Sequence, residues 1–203
     1  MGFYQNTCKP EGLGGKLMTQ LMNGGHHAKL AEWGFSFLTV PANANILDAG
    51  CGGGANLARW LAQCPNGQVT GLDYSPVSVA TAKKYNRQAI ADGRCQVVQG
   101  NVAVLPFEDN TFDVVSAFET VYFWPDLPQC FCEVGRVLKS GGTFFICNES
   151  NGDTDRDEKW TEIIGGMTIY KGTELKVYLE QAGFHDVQIH KKKSWLCVTA
   201  RKR

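Results

Sequence analysis

The residues best placed to do chemistry are a few acids and amides that follow short apolar runs. Asp48 comes directly after Ile46-Leu47 and opens into Ala49-Gly50-Cys51-Gly52-Gly53-Gly54. Without Cβ atoms at 50, 52 and 54, a ligand can lie directly against backbone. Leu57, Trp60 and Leu61 then recur at helical spacing, so the stretch reads as strand, glycine turn, helix. Gly50-x-Gly52-x-x-Ala55 satisfies the dinucleotide fingerprint. A carboxylate at the strand end argues against it, because it repels a pyrophosphate at the turn and favours a ligand carrying positive charge. A strand-turn-helix with no ligand is the plainer alternative.

Asp73 ends a second apolar run, Gln68-Val-Thr-Gly-Leu72, about 20 residues past the loop, where an acid accepts both hydroxyls of a ribose. That supports a nucleoside without choosing which one, and a turn or capping role is the alternative. Asn101 lies just beyond a strand from Cys95 to Gln99. Its amide pairs with adenine edge atoms, the Val102 N–H reaches a ring nitrogen, and Leu105 covers the ring face. Glu119 follows a strand from Phe112 to Phe118 and reads as a substrate clamp or general base, with Tyr122 and Trp124 as pocket wall. The alternative is an ion pair between Glu119 and the N-terminal helices, with the aromatics simply packed. His26 and His27 are adjacent, so they cannot both face one site on a helix. A metal reading is therefore weak, and one of them serving as proton acceptor stands against a capping or surface role.

These residues need elements to carry them. Leu13, Leu17 and Leu21 share one helical face and Leu30, Trp33 and Phe37 another, with Asn23-Gly24-Gly25 as the break. The two helices either pack on the sheet or form a lid, with Tyr4, His26, His27 and Trp33 reaching the pocket. Ser75-Pro76 starts a helix that runs to about Asp92-Gly93. Further elements are a helix from Leu127 to Leu138 and a strand from Thr143 to Cys147. After a polar-then-apolar insertion from Asn151 to Lys171, which reads as a substrate cap or a surface helix, come a helix through Gln181 and a hairpin of Val187–Ile189 and Trp195–Thr199. The result is an α/β chain: a three-layer αβα Rossmann-like sandwich forming a single domain over 1–203. It divides into an N-terminal helical lid (1–43), a cofactor-binding core (44–148) and a substrate-cap segment with C-terminal hairpin (149–203).

Twenty basic and twenty acidic residues cancel, so no broad attraction to nucleic acid or membrane is expected, and Lys191–Lys193 and Arg201–Arg203 read as solvated ends. No apolar run is long enough to span a bilayer, and no signal-peptide core opens the chain, so a cytoplasmic monomer or homodimer is expected. The eight cysteines lack a C-x-x-C pattern and read as small buried residues, with no metal expected.

Four motifs occur in order: Asp48 to Gly54, Gly71-Leu-Asp73-Tyr-Ser-Pro76, Asn101 to Phe112, and Arg136-Val-Leu-Lys-Ser-Gly-Gly142. Together they resemble the class I S-adenosylmethionine-dependent methyltransferases, most of all the branch with the ubiquinone/menaquinone-biosynthesis enzymes and many small-molecule methyltransferases. The resemblance implies a seven-stranded, mostly parallel sheet with an antiparallel last strand, in the order 3-2-1-4-5-7-6. It implies that S-adenosylmethionine is bound and S-adenosylhomocysteine released. Asp48 with Ala49, Gly50 and Gly52 would hold the methionine moiety, Asp73 with Tyr74 the ribose side, and Asn101 with Val102 the adenine, with Phe118 lining the same surface. The cofactor's ammonium and sulfonium suit the acid at 48. Two departures stand out: Asn101 where the family more often has Asp, and Glu119, Tyr122 and Trp124 where many relatives carry His-His. The implied function is methyl transfer to a small-molecule acceptor, with Glu119, Tyr122, His26 and His27 as candidate bases. A nicotinamide-dependent oxidoreductase and a non-catalytic cofactor-binding scaffold are the alternatives.

Overall fold

Seven strands form one sheet in the order β3-β2-β1-β4-β5-β7-β6. They are β1 (Asn45–Ala49), β2 (Gln68–Asp73), β3 (Cys95–Gln99), β4 (Phe112–Phe118), β5 (Leu138–Asn148), β6 (Phe184–Lys192) and β7 (Trp195–Lys202). The computed structural model describes residues 25–203, so Tyr4 and the Leu13-Leu17-Leu21 face lie outside the described residues, as does the His26 side chain. β1 to β5 pair in parallel, while β7 runs antiparallel to both β5 and β6. The sheet order and the antiparallel last strand are those the resemblance implies.

The central strands read as continuous apolar runs because helices cover both faces of the sheet. Alternation along β1 divides the core: Leu47 and Ala49 pack with Phe144, Phe131 and Leu175 on one face, and Ile46 packs with Leu57, Trp60 and Phe145 on the other. The helices are α1 (Gly25–Phe35), α2 (Ala55–Gln63), α3 (Pro76–Tyr85), α4 (Arg87–Ala91), α5 (Leu127–Val137), α6 (Asp155–Ile163) and α7 (Gly172–Gln181). The helix expected to run from Pro76 to about Asp92 is two helices. It breaks at Asn86, whose side-chain amide donates to the carbonyls of Gly54 (2.9 Å) and Ala82 (3.1 Å). β5 starts at Leu138 rather than Thr143, with a register shift against β4 between Phe112 and Val114.

α1 is docked on the sheet. Leu30 and Ala31 are buried, and Phe35 packs edge-on against Trp60 with ring centroids 4.5 Å apart. A Cβ on Gly34 would stand 2.7 Å from Cys147 Sγ, so the helix approaches β5 at a distance that only glycine permits. Beyond the helix, Phe37 stacks on His190 of β6 at 3.9 Å. This helix therefore packs on the sheet, and it also carries His27 to the cleft. Among the described residues, seven cysteines are free, six of them buried, and no helix is long and apolar enough to cross a membrane.

Candidate active site

The glycine loop is held by β2: the N–H groups of Gly50 and Cys51 both donate to the Leu72 carbonyl, at 2.7 and 3.0 Å. Three of its four glycines serve different ends. Added Cβ atoms on Gly50 and Gly54 would collide with Thr120 (2.4 Å) and with the Asn86 amide (2.6 Å). On Gly52, at φ +52°, a Cβ would meet nothing within 4 Å. Here the left-handed backbone and the open space coincide, which is the cradle a ligand lying on the backbone requires.

Asp73 closes the other side of this cradle. Its Oδ2 accepts the Gly52 N–H (2.8 Å) and its Oδ1 accepts the Ser75 N–H (2.9 Å). The turn role and the ligand role are therefore compatible, because each carboxylate oxygen keeps a second acceptor site. Burial raises its pKa against the lowering by those hydrogen bonds. Asp48 is 2 % exposed, and its Oδ1 accepts the Ser116 hydroxyl at 2.6 Å. The Trp60 indole N–H in turn donates to Ser116 Oγ at 2.9 Å. Burial pushes the Asp48 carboxyl up to about 7, Ser116 opposes that, and Asp73 adds to it. Asp48 thus lies buried behind the loop rather than serving as a surface ligand, and a cation in the cleft favours its ionised form.

At the end of β3, Asn101 is exposed, with Oδ1 accepting the Ala103 N–H at 3.0 Å. Val102 is buried beside it, while Tyr74 and Val104 are exposed. Leu105 is a core residue, which corrects its expected place over a ring face. It is drawn inward because its N–H donates to Glu133 (2.8 Å) and its carbonyl accepts from Arg136 (2.9 Å). Arg136 also bridges the Phe107 carbonyl and Asp109, so the fourth motif braces the third.

Glu119 follows β4 at φ +61° and lines an open cleft together with His27, Leu30, Cys51, Gly52 and Phe118. Its Oε1 accepts the Glu149 N–H in a short contact, and the Tyr122 hydroxyl lies 3.4 Å away. Burial, with Glu149 as a like charge, pushes the Glu119 carboxyl up to about 8. The structure brings His27 and Glu119 together and holds Tyr122 apart from the cleft. The Tyr122 hydroxyl is buried and accepts the Ser150 N–H at 2.8 Å, and burial raises its pKa well above the phenol range. Tyr122 is therefore a tether between the ends of β4 and β5 rather than a base. Trp124 is likewise core, stacked on Phe144 with centroids 6.0 Å apart, and not pocket wall. Three residues that support the site escaped sequence reasoning: Ser116, Asn86 and Glu149. Their partners lie about 30 to 70 residues away in the chain, and only the position of Glu149 at a strand end gave any signal.

A doubly wound sheet in this order, with a glycine cradle after β1 and an acid after β2, defines the cofactor-binding fold of the class I methyltransferases. Residues 47–146 match the family model described as "Methyltransferase domain". The chain is 34 % identical over 140 residues to 24-methylenesterol C-methyltransferase 3 of Arabidopsis thaliana, covering 67 % of this chain and 38 % of that protein. It is 36 % identical over 138 residues to demethylmenaquinone methyltransferase of Lactiplantibacillus plantarum, covering 66 % and 56 %. A solved S-adenosylmethionine-dependent methyltransferase from Aquifex aeolicus superposes with a TM-score of 0.76 at 19 % identity, covering 91 % of this chain and 97 % of that one. The chain belongs to the S-adenosylmethionine-dependent methyltransferases. It spans 38 % and 56 % of the lengths of the two curated relatives.

Proposed function

We propose that the protein transfers a methyl group from S-adenosylmethionine to a small-molecule acceptor, working in the cytoplasm as a monomer or homodimer without nucleic acid. The observation that carries this reading is the open Gly52 cradle beside the Asp73 carboxylate, with buried Asp48 behind it. Asp73 takes the ribose hydroxyls, with Tyr74 alongside. Asn101 and the Val102 N–H meet the adenine edge. Ala49, Gly50 and Gly52 bear the methionine portion under the field of Asp48, and Phe118 lines its far end. When bound, the cofactor supplies a sulfonium methyl that is already activated, so the protein's tasks are placement and handling of the acceptor. Glu119 and His27 stand where an acceptor would enter. Tyr122 positions Glu119 through its contacts with Ser150. Residues 1–43 would close over the cleft as a lid on the 44–148 core, with 149–203 completing a single domain.

The test is a comparison of ligands. S-adenosylhomocysteine is expected to bind in calorimetry and to raise the melting temperature, since a ligand specific to the folded state stabilises it. NADH and NADPH are expected to do neither. A larger shift with a nicotinamide cofactor would overturn the reading. A metabolite-pool screen with labelled methyl donor then identifies the acceptor.

A further inference from the structure

His27, Glu119 and Glu149 meet at the mouth of the cofactor cleft. One ring nitrogen and one carboxylate oxygen from each acid lie within 4.8 Å of one another, and all three side chains are half-buried. They come from α1 and from the ends of β4 and β5, so the cluster is a convergence of three elements rather than a solvated acidic face. We infer that this tripod is a site for a divalent transition-metal cation of the zinc, manganese, iron(II) or cobalt kind, with open coordination positions that take the acceptor's heteroatom. The inference rests on the methyl-transfer reading and specifies how that acceptor is held.

The donor set selects the class of cation. One imidazole with two carboxylates is a mixed nitrogen and oxygen set, which suits zinc and its neighbours better than magnesium or calcium. Cys51 also lines the cleft, but its sulfur is not among the atoms that converge within 4.8 Å, so the donor set is one nitrogen and two oxygens. Metal–ligand bonds of about 2.0–2.2 Å set donor atoms roughly 3–4 Å apart, so closing the tripod takes only small side-chain adjustments.

Supporting contacts of the kind that orient metal ligands are already in place. The Glu119 Oε1 accepts the Glu149 N–H and the Tyr122 hydroxyl, which hold the carboxyl at the cleft. Tyr122 is itself fixed by the Ser150 N–H. His27 rides on a helix pinned by Leu30, Ala31 and Gly34. Three protein donors leave at least one position open in tetrahedral or octahedral geometry. A hydroxyl or thiol entering that position would be bound by the cation and would give its proton to water, leaving an alkoxide or thiolate as the nucleophile at neutral pH.

The experiment is a titration of the full chain with Co2+, read by visible d–d absorption and by calorimetry, with Zn2+ as competitor. The expected result is one equivalent of Co2+ per chain, with the absorption bleached by Zn2+. His27→Gln, Glu119→Gln and Glu149→Gln should each weaken binding by about tenfold or more. Cys132→Ser, at an exposed position outside the cleft, should leave it unchanged. Melting curves confirm that each variant folds, and three independent ligands keep the test valid if one does not. Absence of Co2+ binding in a chain that binds S-adenosylhomocysteine would overturn the metal site alone, as would binding that survives in all folded ligand variants. Failure to bind S-adenosylhomocysteine would instead overturn the methyl-transfer reading, so the two failures are separable.

Discussion

Asp73 carries two jobs on one carboxylate. It ties the Gly52 and Ser75 amides across the loop, and in the proposed function its remaining acceptor capacity would take the ribose hydroxyls. Replacing it with alanine removes both. Asp73→Ala is expected to weaken S-adenosylhomocysteine binding by about 2–3 kcal/mol, because the lost contacts are charge-assisted. It should also lower the melting temperature of the ligand-free protein, because two loop amides lose their acceptor. Calorimetry and thermal unfolding on the one variant check both halves. An affinity loss with unchanged ligand-free melting would assign Asp73 to the ligand alone.

Among the elements, α1 shows most clearly how packing and site depend on each other. Gly34 brings the helix against Cys147, while His27 and Leu30, within two turns of it, line the cleft. Gly34→Ala should therefore destabilise the protein by about 1–3 kcal/mol, as overpacking does, despite alanine's better helix propensity. Denaturant unfolding measures this, and a stabilised variant would show that the helix is free to shift. The elements themselves were largely legible in the sequence. β4 runs from Phe112 to Phe118 as its apolar pattern requires, and the α2 face of Leu57, Trp60 and Leu61 is buried as its spacing requires. The break at Asn86 was not legible, because its cause is a hydrogen bond to Gly54 across 32 residues. The roles of Tyr122 and Leu105 were misread, and that of Trp124 was left open between pocket wall and packing, for a related reason. Position near a strand end says that a side chain is close to a site, but its direction is decided by partners such as Ser150, Phe144 and Arg136.

For the molecule as a whole, stability should depend on pH through the buried acid behind the glycine loop. The Asp48 carboxyl is raised from an ordinary 3.8 to about 7, so the folded state holds its proton more tightly than the unfolded chain does. Its contribution is therefore fully present below about pH 4 and lost as pH rises through about 7. The ligand-free protein is expected to lose stability over that window, and Asp48→Asn should flatten the loss. Denaturant midpoints measured across the pH range test this; parallel curves for the two proteins would show that Asp48 is ionised throughout.

The strand order also divides the molecule along a seam. The loops after β1, β2 and β3 carry Gly52, Asp73 and Asn101, whereas Glu119, Glu149 and His27 come from β4, β5 and α1. With the roles proposed above, one flank of the sheet would answer to the cofactor and the other to whatever receives the methyl group. Under those roles selectivity would be a module carried by the segments after β4 and β5, joined to the donor's berth at Thr120, whose hydroxyl donates to the Ala49 carbonyl.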